Sequence, residues 1–233
     1  MLTVSEFCKR EILSEFPLEP ERVFVVPNTI DPPRSLTEEE AGACAGWLRA
    51  AGVDRPFVLH LGNLHPRKNV ARLIRAFGRA TQESGELAGC QLVVAGARWW
   101  GRDEERELEG APPGSVVMLG RVDDIQREHL LRSCRALAYL SLYEGFGLPP
   151  VEAMARGAPV LAADRAALPE TTGGAALLVD PCDLDAITSG LIDVVTDDVL
   201  RDRLRTRGRE QAARYSIAAT GARAVAALAA ATA

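Results

Sequence analysis

Long apolar runs, paired cysteines, clustered histidines and surplus basic charge are all missing from this 233-residue sequence, and each absence removes a class of function. No stretch offers the roughly 20 apolar residues that a membrane-spanning helix requires. The Ala-rich tail "IAATGARAVAALAAATA" comes nearest, and its small side chains and Arg223 suit a packed surface helix instead. The opening "MLTVSEFCKR" lacks the apolar core of a signal peptide. Cys8, Cys44, Cys90, Cys134 and Cys182 are odd in number and scattered without a C-x-x-C pair, which excludes a disulfide scaffold and a structural zinc site and fits the cytoplasm. His60, His65 and His129 lack ligand spacing, so no metal site is expected. With 27 Lys and Arg against 32 Asp and Glu the net charge is −5, and no electrostatic footprint for nucleic acid or an anionic membrane is present. Any anion this chain binds must be met locally.

What is present is alternation. Short runs of nearly unbroken apolarity occur at 22–26, 56–61, 90–96, 115–120, 135–140 and 158–163. Such runs suit strands buried on both faces of a parallel sheet. Between them lie segments of helical period at 69–82, 103–110, 124–134 and 150–157. In the first, Val70, Leu73, Ile74 and Phe77 form a stripe able to cover a sheet face. A helix is also expected over 37–51, where Thr37 and Glu40 have capping-box spacing and Trp47 and Leu48 can pack inward. Two helices and the Ala-rich tail follow residue 182. The pattern predicts an α/β fold, a doubly wound Rossmann-like parallel sheet with right-handed crossovers. No internal repeat or low-complexity linker divides it, so residues 1–233 are expected to form one domain.

Ligands in such sheets bind beyond the carboxyl ends of the strands. After the run at 56–61 comes "GNLHPRKN", with Arg67 and Lys68 where the next helix is expected to begin. Two cations there oppose the helix dipole, by about 0.3–1 kcal/mol each. They either meet an anion such as a phosphate or stand solvated. After the run at 135–140 comes Glu144-Gly145-Phe146-Gly147-Leu148 followed by two prolines, which place a helix start near Pro149 and Glu152 in its first turn. Gly145 and Gly147 can turn main-chain N–H groups toward a ligand, making a second anion-accepting concavity. Glu152 could simply favour the dipole, and Glu144 could be an exposed loop acid. Carboxylates are equally good acceptors for the vicinal hydroxyls of a sugar or ribose. Two of them flanking a phosphate cradle match a nucleotide sugar.

The stretch "YEGFGLPPVEAMARGAPV" resembles the E-x7-E signature of the retaining glycosyltransferases of group 1, also called family 4, which have the GT-B fold. "VSEFCKREI", "VVPNTID", "LGNLHPRKNVARLIRAF", "LVVAG", "LGRVDD" and "ALPETTGGAALLVDP" fall in the same order, so the resemblance covers about residues 3–216. It implies the C-terminal, donor-binding half of such an enzyme. "TVSEF" at residue 3 normally ends the N-terminal acceptor half; that half is therefore expected to be absent, with residues 1–20 a remnant of the interdomain region and 216–233 a C-terminal helix.

By the same resemblance Glu144 contacts hydroxyls of the transferred sugar, Glu152 binds the ribose, and main-chain groups of Gly145, Phe146, Gly147 and Leu148 meet the sugar and diphosphate. The family's loop often has Arg directly after the glycine matched by Gly62; here it is Asn63, leaving Arg67 and Lys68 to supply the charge. Arg121 and Val122 fall where the family closes over the base. The implied reaction transfers a hexose from a nucleoside diphosphate sugar with retention, catalysed by Arg67, Lys68 and Glu144, with no cofactor and no metal required. "PRKN" is most like mannosyl or related hexosyl transferases acting on bacterial glycans. The implied residence is cytoplasmic, at the inner membrane face as part of a full enzyme. Two other readings stand beside it: a non-catalytic sugar-nucleotide-binding module or subunit of a split enzyme, and a nicotinamide-dependent oxidoreductase. Against the last, "GNLHPRKN" and "GARWWG" are not G-x-G-x-x-G.

Overall fold

The structure, a computed structural model, describes residues 1–97, 108 and 111–232. Six strands form one parallel sheet: β3 (Phe57–Leu61), β4 (Gln91–Ala95), β5 (Val116–Gly120), β6 (Ala136–Tyr139), β7 (Val160–Ala163) and β8 (Leu177–Val179), in the spatial order β5-β4-β3-β6-β7-β8. This is the doubly wound order expected of a Rossmann-like sheet, with β3 and β6 side by side where the winding reverses.

Burial on both faces explains why the strands read as apolar runs. Leu59, Leu61, Val93, Ala95, Leu137 and Tyr139 enter one core, while the residues between them, Val58, Leu92, Val94, Ala136 and Ala138, enter the other. The second core is covered by α3 (Val70–Glu83), whose expected stripe Val70, Leu73, Ile74 and Phe77 is at most 1% exposed, and by α8 (Leu184–Thr196). At about 25 cal/mol per Å² of apolar area, stripes of this kind are what hold the helices to the sheet. The first core is covered by α5 (Asp124–Ser133), α6 (Leu148–Ala155) and α2 (Glu38–Ala50). At α2 the expected capping box forms: Glu40 N–H donates to Thr37 Oγ1 at 3.2 Å and Thr37 N–H to Glu40 Oε2 at 3.0 Å.

One reading of the sequence needs correction, two elements went unread, and one expected helix lies largely outside the described residues. The run 22–26 does not join the main sheet: only Phe24–Val25 (β2) is strand, confined between the turn Pro20–Arg22 and Pro27, and it pairs with Leu2–Thr3 (β1) in a separate parallel pair around α1 (Glu6–Glu15). Three-residue β8 and five-residue α7 (Leu168–Thr172), too short to show a period, went unread. The helix expected at 103–110 lies outside the described residues apart from Leu108. A short α4 (Gly85–Ala88) precedes β4, and α9 (Asp198–Ala213) and α10 (Ile217–Thr232) complete the described chain. None of its helices is long and apolar enough to cross a membrane.

Candidate functional site

The chain leaves β3 toward the α3 face of the sheet and leaves β6 toward the α6 face, so the two connecting loops face each other across the reversal point. Leu142 N–H donates to Arg67 O at 2.7 Å and ties them together.

In the β3 loop, Pro66–Lys68 is a single 3-10 turn, and Asn69 then takes a left-handed conformation (φ 60°, ψ 30°) before α3 begins. Arg67 and Lys68 therefore precede the helix, contrary to the expectation that they stand at its first residues. The turn consumes its own donors: Arg67 N–H goes to His65 Nδ1, Lys68 N–H to His65 O and Asn69 N–H to Pro66 O. Side chains, not these amides, carry the positive charge outward. Asn69 anchors the turn by donating from Nδ2 to Pro181 O at 2.8 Å.

Both cations converge on Glu144. Its Oε1 accepts from Lys68 Nζ at 2.5 Å, Ser141 Oγ at 2.7 Å, Arg67 Nη1 at 3.0 Å and the Tyr139 hydroxyl at 3.0 Å. Lys68 Nζ also donates to the Tyr139 oxygen at 2.6 Å. Glu144 is 9% exposed and Lys68 7%, so the exposed loop acid is set aside and Lys68 is not solvated, while the Arg67 side chain stays partly exposed as it reaches Glu144. Burial works to raise the Glu144 carboxyl, but the bonds from Lys68 and Ser141 and the charges of Lys68 and Arg67 hold it below the ordinary glutamate value. Burial pulls the Lys68 ammonium below the ordinary lysine value, against the opposing pull of Glu144.

The Gly-x-Gly loop lies over this cluster. Ser5 Oγ donates to Gly145 O at 2.7 Å, Cys8 Sγ contacts the same oxygen, and the Phe146 ring turns into the core against Tyr215. Gly147 caps α6 at φ 92°, and a Cβ there would lie 2.5 Å from Leu168 Cδ2. Among the described residues nothing accepts from the N–H groups of Gly145, Phe146, Gly147 or Leu148. Four successive main-chain donors in the lining of the cavity that also holds the Lys68 ammonium can make an anion nest. The prolines that follow have no N–H, so the donors belong to the loop more than to the helix.

A cavity of 340 Å³ is lined by seven expected residues, Gly62, Lys68, Glu144, Gly145, Phe146, Gly147 and Leu148. It is also lined by Val4, Asn28 and Tyr139, which sequence reasoning had not placed there. One signal was available: Lys9 and Lys68 are the sequence's two lysines among 27 basic residues, so Lys68 stands out from an arginine background. Other expected residues lie off this cavity. Glu152 is the fifth residue of α6, past the first turn where it was expected, because the helix starts at Leu148; its Oε1 accepts from Arg127 Nη1 at 3.0 Å. Arg127, unnoticed in the sequence, is the partner that orients it. Asn63 and Arg121 follow β3 and β5 at the same edge of the sheet, and Val122 packs partly into the core. The described residues contain no cluster of His, Cys, Asp or Glu able to hold a metal ion.

The family model for "Glycosyl transferases group 1" matches residues 49–211. The chain belongs to this family. Its fold is that of the C-terminal half of a GT-B glycosyltransferase. Among relatives, this chain is 33% identical over 222 residues to the O-antigen chain mannosyltransferase B of Escherichia coli, covering 93% of this chain and 56% of that protein. It is 32% identical over 226 residues to the MMP alpha-(1->4)-mannosyltransferase of Mycolicibacterium hassiacum, covering 91% and 49% respectively. The chain thus spans about half the length of the curated relatives it matches. Solved structures with the same fold include Anabaena HepE in complex with UDP and glucose, with TM-score 0.80 and 21% identity over 98% of this chain and 62% of that one. A glycosyltransferase from Rickettsia africae has TM-score 0.81 and 16% identity over 97% and 61%.

Proposed function

We propose that this chain binds a nucleoside diphosphate hexose, with mannose the favoured sugar, and forms the donor half of a retaining transferase that delivers the hexose to a hydroxyl of a glycan. The observation that carries this reading is the convergence of Lys68 and Arg67 on Glu144 beside the Gly145–Leu148 loop, whose four N–H groups have no acceptor among the described residues, at the reversal point of the sheet. The mannosyltransferase relatives support the sugar, and the bound UDP and glucose of HepE support the ligand class.

In this reading the diphosphate is received by the loop N–H groups from Gly145 to Leu148 and by Lys68 and Arg67. Hydroxyls of the hexose donate to Glu144, and the ribose donates to Glu152, held in place by Arg127. The base lies toward Asn63, Arg121 and Val122 at the ends of β3 and β5. As the bond from the anomeric carbon to the diphosphate breaks, negative charge grows on the leaving oxygen, and preorganised cations stabilise it at that moment. A metal is not needed where Lys68 and Arg67 neutralise that charge. Glu144 holds the sugar as it becomes oxocarbenium-like and takes no covalent part. Acceptance requires a second half corresponding to the remaining length of the relatives, so the chain alone is expected to bind donor without transferring it, in the cytoplasm or at the membrane's inner face.

A transfer assay with GDP-mannose and UDP-glucose, run with and without a supplied N-terminal half and read by NMR of the anomeric configuration, tests this. Transfer with retention only when both halves are present agrees with the reading; inversion, or no transfer from any nucleotide sugar by the paired halves, contradicts it. Donor binding without transfer in both arms would favour the non-catalytic module.

A further inference from the structure

Tyr139 closes strand β6 at the floor of the cavity, 1% exposed, with its ring stacked on His60 at 6.0 Å between centroids. Its hydroxyl sits between the two groups of opposite charge, accepting from Lys68 Nζ at 2.6 Å and donating to Glu144 Oε1 at 3.0 Å. The direction is fixed by valence: an ammonium has only protons to give and a carboxylate only lone pairs, so the single phenolic proton must point at Glu144. The Lys68 ammonium has three N–H bonds, of which Tyr139 and Glu144 take two. One remains for a phosphate oxygen.

Glu144 is the weaker anchor once a donor arrives. A diphosphate competes for the same N–H groups of Lys68 and Arg67, and sugar hydroxyls compete for the same carboxylate. Tyr139 has no such competitor, because its ring is fixed by the core and by His60. We infer that Tyr139 is a positioning residue, whose hydroxyl keeps the Lys68 ammonium aimed at the diphosphate while Glu144 turns from the cations to the sugar. This inference rests on the proposed transferase reading. It also accounts for a lysine at 68 in a chain that otherwise relies on arginine: a compact ammonium on a flexible stem can hold one fixed acceptor and exchange another, whereas a planar guanidinium orients its donors as a set. Burial lowers the Lys68 ammonium against ordinary lysine. Loss of an acceptor deepens that effect.

The sequence makes the measurement simple, since protein labelled with 15N-lysine has two side-chain amine signals, from Lys9 and Lys68. Tyr139→Phe keeps the ring and removes only the hydroxyl, and the Lys9 signal serves as an internal reference for folded protein. The wild-type Lys68 ammonium signal should stay sharp when GDP or UDP is added. In Tyr139→Phe it should titrate at lower pH and broaden on nucleotide addition, with affinity for the diphosphate reduced about tenfold and affinity for the nucleoside unchanged. A wild-type protein that binds a diphosphate while Tyr139→Phe matches it in affinity and in Lys68 signal overturns this inference and leaves the transferase reading intact. A wild-type protein that binds neither diphosphate overturns both.

Discussion

Arg156, just past the end of α6, donates through Nε to Glu128 Oε2 of α5 at 2.7 Å, and both side chains are 4% exposed. The pair fixes the helix that contains Glu152 to the helix that contains Arg127, the residue holding Glu152. Glu128 also accepts from Arg132 Nε at 2.7 Å, and Arg132 in turn donates to Arg34 O, extending the tie to the segment before α2. Replacing Glu128 by Ala leaves Arg156 buried without its counter-charge. We expect a loss of about 3–5 kcal/mol in folding stability by denaturant titration.

Glu144 and the cations are coupled, so removing the carboxylate has two opposite effects. Glu144→Ala deletes the hydroxyl acceptor but frees Lys68 and Arg67 from their bonds to Oε1. Calorimetry should therefore show a nucleoside diphosphate hexose losing affinity while the free diphosphate binds as well as before or better. Equal losses for both ligands would remove Glu144 from the sugar.

His60 is fully buried, with Nδ1 3.2 Å from Ala138 O, and burial pushes its imidazole down to about 4. Its folded value lies below the unfolded one of 6.5, so the neutral ring is the form the fold accepts. The stability it contributes is complete above the unfolded value and is lost as pH falls from there toward the folded one. The whole effect is roughly 3 kcal/mol. Thermal melts should show the wild type losing more stability than His60→Gln between neutral pH and the low end of that window.

Gly147 tests the loop geometry. Its positive φ strains any other residue, and a Cβ there would lie 2.5 Å from Leu168 Cδ2, so the buried Leu168 would have to shift. Gly147→Ala should cost about 1–3 kcal/mol of stability and weaken diphosphate binding together with it, as the N–H groups around it turn away. A variant of native stability and native affinity would show the loop to be more adaptable than this.

Much of the fold was legible because it depends on pattern. The stripe Val70, Leu73, Ile74 and Phe77 and the capping box at Thr37 and Glu40 are local, and each appears as its spacing implies. Gly62, Lys68, Glu144 and the Gly145–Leu148 loop were found as separate segments, and the strand order then brought them together. What could not be read is pairing across space. That one oxygen of Glu144 collects four donors, that Tyr139 bridges the charges and that Arg127 holds Glu152 all depend on which strands and helices become neighbours. The run at 22–26 failed for the same reason: its apolarity marks a strand without saying which sheet it joins.

A diphosphate received by the Lys68–Glu144 cluster and the adjoining Gly145–Leu148 loop is what ties these residues to one function. Isothermal titration calorimetry of this chain with GDP, UDP and ADP, each beside its nucleoside and each repeated with Lys68→Ala, tests it most directly. One diphosphate should bind at a single site, its nucleoside far more weakly, and Lys68→Ala should abolish most of the difference. Diphosphate binding unchanged in Lys68→Ala, or absent for all three bases in the wild type, would contradict it.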